Sequence, residues 1–157
     1  MDPSVILRLC ILIILLALSA FFSSSETALT TVNVHTIRAL VEDGNRQAKR
    51  VLQLIENPAA MLSSILIGNN LVNISATSLA TTLAIDVFGS AGAGIATGVL
   101  TILVLIFGEI TPKTYATIKN TNLALRFGPV IYYVTKVLTP VVIVINKLST
   151  GLLMLLR

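Results

Sequence analysis

The sequence has no tryptophan, one cysteine, one histidine and little charge: Asp, Glu, Lys and Arg together make up 11% of its 157 residues. Each shortage closes off a class of function. Cys10 stands alone inside an apolar run, so no internal disulfide can form. His35 has no second histidine to make a ligand pair, and without a cysteine cluster zinc and copper sites are not expected. There is no HExxH, no serine with a histidine base and no paired aspartate in the apolar stretches, so an enzyme is not expected either. Soluble domains carry roughly 25% charged residues, whereas this chain is 55% hydrophobic. The class that remains is an all-α integral membrane domain lying in a lipid bilayer. The net charge of +4 comes from basic residues beside apolar segments, where topology accounts for them, and nucleic acid is not an expected partner.

What is present falls into long apolar runs. Residues 4–31 predict a first span. A cleaved signal peptide ending near Ala17-Leu18-Ser19-Ala20 is the competing reading, but Asp2 stands where a basic leader should be. At helical spacing Ser19, Ser23, Glu26, Thr27 and Thr30 share one face of that helix. Residues 34–57 alternate charged and apolar positions around Gly44-Asn45, which predicts two amphipathic helices at the membrane surface. Residues 59–88 form a second span with a polar middle, and Asn69, Asn70 and Asn73 fall within five residues. One asparagine is explained by interhelical hydrogen bonding, but three exceed what packing needs. The third span, 91–118, follows a turn at Asp86–Ser90 and carries Gly94 and Gly98 at the small-xxx-small spacing that permits close helix approach, within one subunit or across a dimer.

Lys136 and Lys147 divide residues 122–157, and Pro129, Pro140 and Gly151 interrupt them. A span centred on Lys136 would carry a lysine penalty of about 2.5–3.5 kcal/mol, so juxtamembrane helices in a cytoplasmic-side belt are expected instead. Arg38, Arg46, Lys49 and Arg50 follow the first span and Lys113, Lys119 and Arg126 the third, while the Asp86 turn has no basic residue. The positive-inside rule then puts the N-terminus outside and the C-terminus in the cytoplasm of a cell (inner or plasma) membrane. A chain that stops at Leu155-Leu156-Arg157 is expected to continue into a further segment.

The chemistry concentrates at Gly108-Glu109-Ile110-Thr111-Pro112-Lys113. Glu109 follows Gly108 and the seventeen uncharged residues of Ala91–Phe107, and an ionisable group at that depth suggests function by default. Pro112 has no N–H, so the carbonyl of Gly108 loses its helical donor. A carboxylate and a freed carbonyl on adjacent residues are how broken helices offer oxygen to cations. The plainer reading pairs Glu109 with Lys113 at i+4 and leaves Pro112 as a kink. Amide oxygens of Asn69 and Asn73, at i and i+4, would complement a carboxylate around a hard cation.

These motifs in order, Phe22-Ser23-Ser24-Ser25-Glu26, Gly68-Asn69 with Asn73, and Gly108 to Lys113, resemble the transmembrane domain of the CorC/cyclin M (CNNM) family of magnesium transport proteins over essentially the whole chain. The resemblance implies three transmembrane helices with a juxtamembrane belt, a homodimer, and a cytoplasmic CBS module binding ATP-Mg²⁺ elsewhere in the full-length protein. It implies Mg²⁺ efflux with Na⁺ as a coupling ion, and Ser23, Asn69, Asn73, Gly108 and Glu109 as the metal ligands. Ser19, Ser24, Glu26 and Asn70 are expected to line the cavity, with Pro112, Lys113, Gly94 and Gly98 in structural roles. Two other functions stay open: a membrane anchor that dimerises and positions a cytoplasmic sensor, and a carrier of another solute coupled to H⁺ or Na⁺.

Overall fold

The computed structural model describes residues 3–155, with only the backbone given for Ala91 and Leu155. Asp2, Leu156 and Arg157, which the sequence reading used, lie outside the described residues. Every element among them is helical: α1 (Pro3–Thr31), α2 (Val34–Glu42), α3 (Arg46–Ile55), α4 (Pro58–Leu103), a π-helical segment (Val104–Ile110), α5 (Thr111–Ile118) and α6 (Asn120–Leu155). Four stretches are long and apolar enough to cross a membrane: Pro3–Thr31, Pro58–Ser90, Gly92–Ile118 and Asn120–Met154. Large apolar side chains such as Ile13, Leu71, Ile74 and Ile95 are exposed along them, as lipid contact requires and as water would not tolerate over so wide a surface.

α4 is a hairpin rather than a rod. Gly89 alone leaves the helical region, with φ 70° and ψ 177°, and a residue with a Cβ rarely adopts that conformation. Thr77 and Thr101, and likewise Thr81 and Thr97, lie equally far from Gly89 and meet at one small niche. The two halves therefore run antiparallel. α1 packs along the hairpin through Leu12 against Ala76, Ala80 and Leu83. In lipid such contacts rest on close van der Waals packing, which the alanines permit. At the Gly89 end an ion pair between Arg8 and Asp86 ties α1 to the hairpin.

The opposite end holds the larger core. Asn33 caps α2 by accepting from the His35 and Thr36 amides, and Asn45 caps α3 from Gln47 and Ala48. Each cap contributes about 1 kcal/mol. Ile37, Ala48, Val51 and Leu54 are buried against Leu29 of α1, Val32 of the link that follows it, Met61 and Ile65 of α4, and Ala124 and Ile131 of α6. In the water-facing layer, full burial of a Val or Ile contributes about 1.5–3 kcal/mol. His35 is exposed on this layer.

Residues 122–157 were expected to be broken at their prolines, yet α6 runs as one helix with Pro129 and Pro140 inside it. Proline survives in such helices when neighbours support the backbone around the lost hydrogen bond. Here Gly128 lets α6 close onto α3: a Cβ on it would stand 2.5 Å from Val51 Cγ2. Arg50 lies over the Tyr133 ring at 5.0 Å, and Lys136 over the Tyr132 ring at 5.4 Å. Lys136, which argues against a span, thus has an aromatic partner. Gly94 and Gly98 meet nothing within 4 Å, so the close approach their spacing permits is not made inside this subunit.

Candidate functional site

Three helices converge halfway along the bundle, and each brings polar atoms at one level. Ser19 of α1 is fully buried and donates its hydroxyl proton to Asn73 Oδ1 at 2.7 Å, with the Gly108 carbonyl a second acceptor at 3.4 Å. Asn73 in turn donates through Nδ2 to Glu109 Oε1 at 3.0 Å. Ser19, Asn73 and Glu109 form one chain of hydrogen bonds across α1, α4 and the π-helical segment. Interhelical bonds of this kind contribute about 0.6 kcal/mol each in a membrane. Asn73 is the middle link of that chain, and Ser19, expected among the lining residues, is its α1 end.

Local backbone explains why Glu109 stands there. Over Val104–Ile110 the helix widens by one residue, and the Thr111 amide reaches back to the Ile106 carbonyl, five residues away. Pro112, at the start of α5, follows directly. Its missing N–H leaves the ordinary ladder incomplete, and the wider turn is one way to accommodate that loss. Such π-turns recur at functional sites because they re-aim side chains. Gly108 is buried where an added Cβ would stand 2.9 Å from Ser19 Oγ and 3.3 Å from Ser19 Cβ. Any Cβ there would force Ser19 or the helices to shift. Gly68 is held in the same way, since a Cβ there would meet the Phe22 ring at 2.6 Å.

One helical turn toward the Thr31 end lies a second polar level. Ser23 Oγ is fully buried and has no hydrogen-bond partner, and Asn69 Oδ1 is buried and unpartnered as well. A buried polar group left unpaired costs about 1–3 kcal/mol. Two such oxygens, each one turn from a member of the Ser19–Asn73–Glu109 chain, are therefore an unsatisfied demand for a donor or a cation. Ser23→Ala is expected to raise the unfolding temperature in the presence of a chelator, reflecting about 1 kcal/mol. A fall in that temperature would mean that Ser23 holds the helices together.

The remaining expected residues separate. Ser24 gives its proton to the Ala20 and Phe21 carbonyls of its own helix, so packing of α1 accounts for it. Asn70 is exposed, turned about 100° around the helix from Asn69. Glu26 is engaged: Lys113 Nζ lies 3.2 Å from its Oε2, with both side chains about 40% exposed. The pairing of Glu109 with Lys113 that i+4 spacing permits is not formed. Glu109 thereby keeps a carboxylate facing Asn73 with no cation beside it. Because the Glu26–Lys113 pair is solvent-accessible, it contributes no more than about 1 kcal/mol. Lys113→Met, Glu26→Gln and the double variant should accordingly melt within a few degrees of one another. A double variant much less stable than either single would show that Lys113 has another partner.

Among the described residues no three Cys, His, Asp or Glu side chains gather to hold a metal. The site offers one carboxylate with hydroxyl, amide and carbonyl oxygens, a hard and weakly charged set that gives soft metals nothing to prefer. A cavity of about 600 Å³ near the Gly89 end is lined by Leu9, Leu12, Leu83, Phe88, Val99 and other apolar residues. It has no oxygen to give a cation.

Comparison with known proteins places these residues in a wider group. The model of the cyclin M transmembrane N-terminal domain matches residues 10–157. A UPF0053 protein of Haemophilus influenzae is 43% identical over 143 residues, covering 91% of this chain and 34% of the relative. The UPF0053 inner membrane protein YfjD of Escherichia coli K12 is 40% identical over 136 residues, 87% of this chain and 32% of the relative. An E. coli polyamine export protein is 39% identical over 71 residues, 45% of this chain and 15% of its own length. The chain spans about a third of the length of the first two relatives. With the matched region taking in all three converging helices and the hydrogen-bonded level they share, the chain belongs to the cyclin M transmembrane N-terminal domain family.

Proposed function

We propose that this domain carries Mg²⁺ across the membrane, outward from the cytoplasm and coupled to Na⁺ entry. The ion is held by Ser23 Oγ, the amide oxygens of Asn69 and Asn73, the Gly108 carbonyl and the Glu109 carboxylate. The observation that carries this reading is the pair of buried, unpartnered oxygens, Ser23 Oγ and Asn69 Oδ1, one turn from a carboxylate that no lysine neutralises. Mg²⁺ demands six oxygens in near-octahedral array and sheds water reluctantly. Four neutral protein oxygens with one charge bind it without a deep trap, and transport needs such release.

The two polar levels supply an order of events. The Ser19–Asn73–Glu109 chain closes the site toward the Gly89 end, while Ser23 and Asn69 lie on the other side. The ion enters at Ser23 and Asn69. It then competes for Glu109, and Asn73 must turn its amide so that oxygen rather than NH₂ meets the cation. That rearrangement releases Ser19 and loosens the closed level, coupling occupancy to opening on the far side. The basic residues of α2 and α3 support a cytoplasmic Thr31 end. A second copy packs on the open Gly94–Gly98 face, and a cytoplasmic CBS module regulates the pair.

A polyamine cargo is the reading that one relative's name raises. An extended polycation calls for several carboxylates in line, and here Asp86 and Glu26 are each engaged with a basic partner. The test is flux in proteoliposomes with a trapped Mg²⁺ indicator. Mg²⁺ movement that requires Glu109 and is driven by a Na⁺ gradient is expected. Spermidine movement without Mg²⁺ movement would transfer the site to polyamines, and no movement of either would favour the anchor.

A further inference from the structure

An ion released from the Asn73–Glu109 level toward the Gly89 end meets an apolar cavity and a smaller, threonine-lined opening. The apolar cavity of about 600 Å³ between α1 and the hairpin offers no oxygen along its lining. An ion there would lose hydration with nothing in exchange, a penalty of many kcal/mol. The other opening lies between the halves of the hairpin, a niche of about 10 Å³ lined by Thr77, Thr81, Thr97 and Thr101 with Ala80, Leu100 and Val104. That is close to the roughly 10–15 Å³ one water needs.

We infer that this threonine seam is the hydrated route by which the cation leaves the Asn73–Glu109 level, an assignment that rests on the transport reading above. Asn69, Asn73, Thr77 and Thr81 stand at successive i+4 positions of one half of α4, so the seam continues the stripe that forms the site. The Thr77 hydroxyl donates to the Asn73 backbone carbonyl at 2.9 Å, joining the two directly. Thr81 donates to the Thr77 carbonyl and Thr101 to the Thr97 carbonyl. Each of these three hydroxyls has committed its only proton to its own helix. What it offers the seam is lone pairs, which accept from water or meet a cation and give an anion nothing. The seam admits about one water as it stands. Passage of a hydrated ion requires the halves to part, and Gly89, the one non-helical residue between them, is the hinge.

The test uses the full chain in liposomes with Cys10→Ala as background. Single cysteines replace Thr81, Thr97 or the exposed, non-lining Ile102, and a membrane-impermeant thiosulfonate is added on the Gly89 side. Thr81→Cys and Thr97→Cys are expected to react at least about tenfold faster than Ile102→Cys. The Thr81→Val/Thr97→Val double variant should bind Mg²⁺ within about twofold of wild type yet move it about tenfold more slowly, and the corresponding serine double variant should restore flux. Cysteines no more reactive than the Ile102 control, or a valine variant with wild-type flux, would overturn the seam while leaving the central site standing. Reactive cysteines in a protein that moves no Mg²⁺ would overturn the Mg²⁺ assignment and retain the seam as a water path.

Discussion

Glu109→Gln is expected to weaken Mg²⁺ binding at least about 100-fold, a change of about 2.7 kcal/mol, with little effect on thermal unfolding in chelator. The asymmetry follows from the hydrogen bonds. A glutamine carbonyl still accepts from Asn73 Nδ2, so the chain from Ser19 survives the substitution. What disappears is the one negative charge at the site, since Glu26 is held by Lys113 and Asp86 by Arg8. Two unit charges at 4 Å attract by roughly 4 kcal/mol at an effective dielectric of 20, and a divalent ion in contact feels more. Glu109→Ala also leaves Asn73 without its acceptor, so it should lose stability as well, by about 1–3 kcal/mol. Calorimetric titration together with melting in chelator and in Mg²⁺ separates the two effects. Glu109→Gln with wild-type affinity would make the carboxylate only an acceptor for Asn73, and the anchor function the better account.

Gly108→Ala should damage packing and the site together. Its Cβ would stand 2.9 Å from Ser19 Oγ and 3.3 Å from Ser19 Cβ, distances that force α1 and the π-helical segment apart. Overpacking of this kind costs about 1–3 kcal/mol. The displacement falls on the Ser19–Asn73 bond, so Mg²⁺ affinity should drop with stability. Ser19→Gly in the same chain removes both clashing atoms and should recover most of the lost unfolding temperature. It would not recover full affinity, because the Ser19 hydroxyl that orients Asn73 is gone. A Gly108→Ala protein as stable as wild type would mean that the helices can separate freely at this level, and that glycine is not required by close approach.

Much of this site was legible before any coordinates. The i, i+4 spacing of Asn69 and Asn73, the uncharged run that ends at Glu109 and the proline after it all describe local geometry, and local geometry survives folding. Tertiary choices were less visible. Spacing allows Lys113 to meet Glu109, but only the approach of α1 brings Glu26 to it instead. The π-helical turn has no periodicity of its own over seven residues, so the sequence offered Pro112 and nothing more. Ser19 and Ser24 were both expected to line the cavity, but only Ser19 shares the face of Ser23 and Glu26. It reaches across to Asn73, while Ser24 turns back onto carbonyls of its own helix. α6 is not legible because proline reads as a breaker unless the neighbours that support it are known. The threonine seam did leave a trace, since Thr77, Thr81, Thr97 and Thr101 are symmetric about Gly89, but that symmetry means nothing until the turn is known to be a tight hairpin.

The claim on which the rest depends is that a divalent cation sits between the two polar levels. Anomalous diffraction from crystals of the full chain soaked in Mn²⁺, a hard cation of the same ligand preference as Mg²⁺, measures this directly. The account expects one peak per protomer, bounded by Ser23 Oγ, Asn69 Oδ1 and the Glu109 carboxylate and displaced by excess Mg²⁺. A peak confined to the exposed acidic groups at either end of the bundle, with none at Glu109, would contradict it.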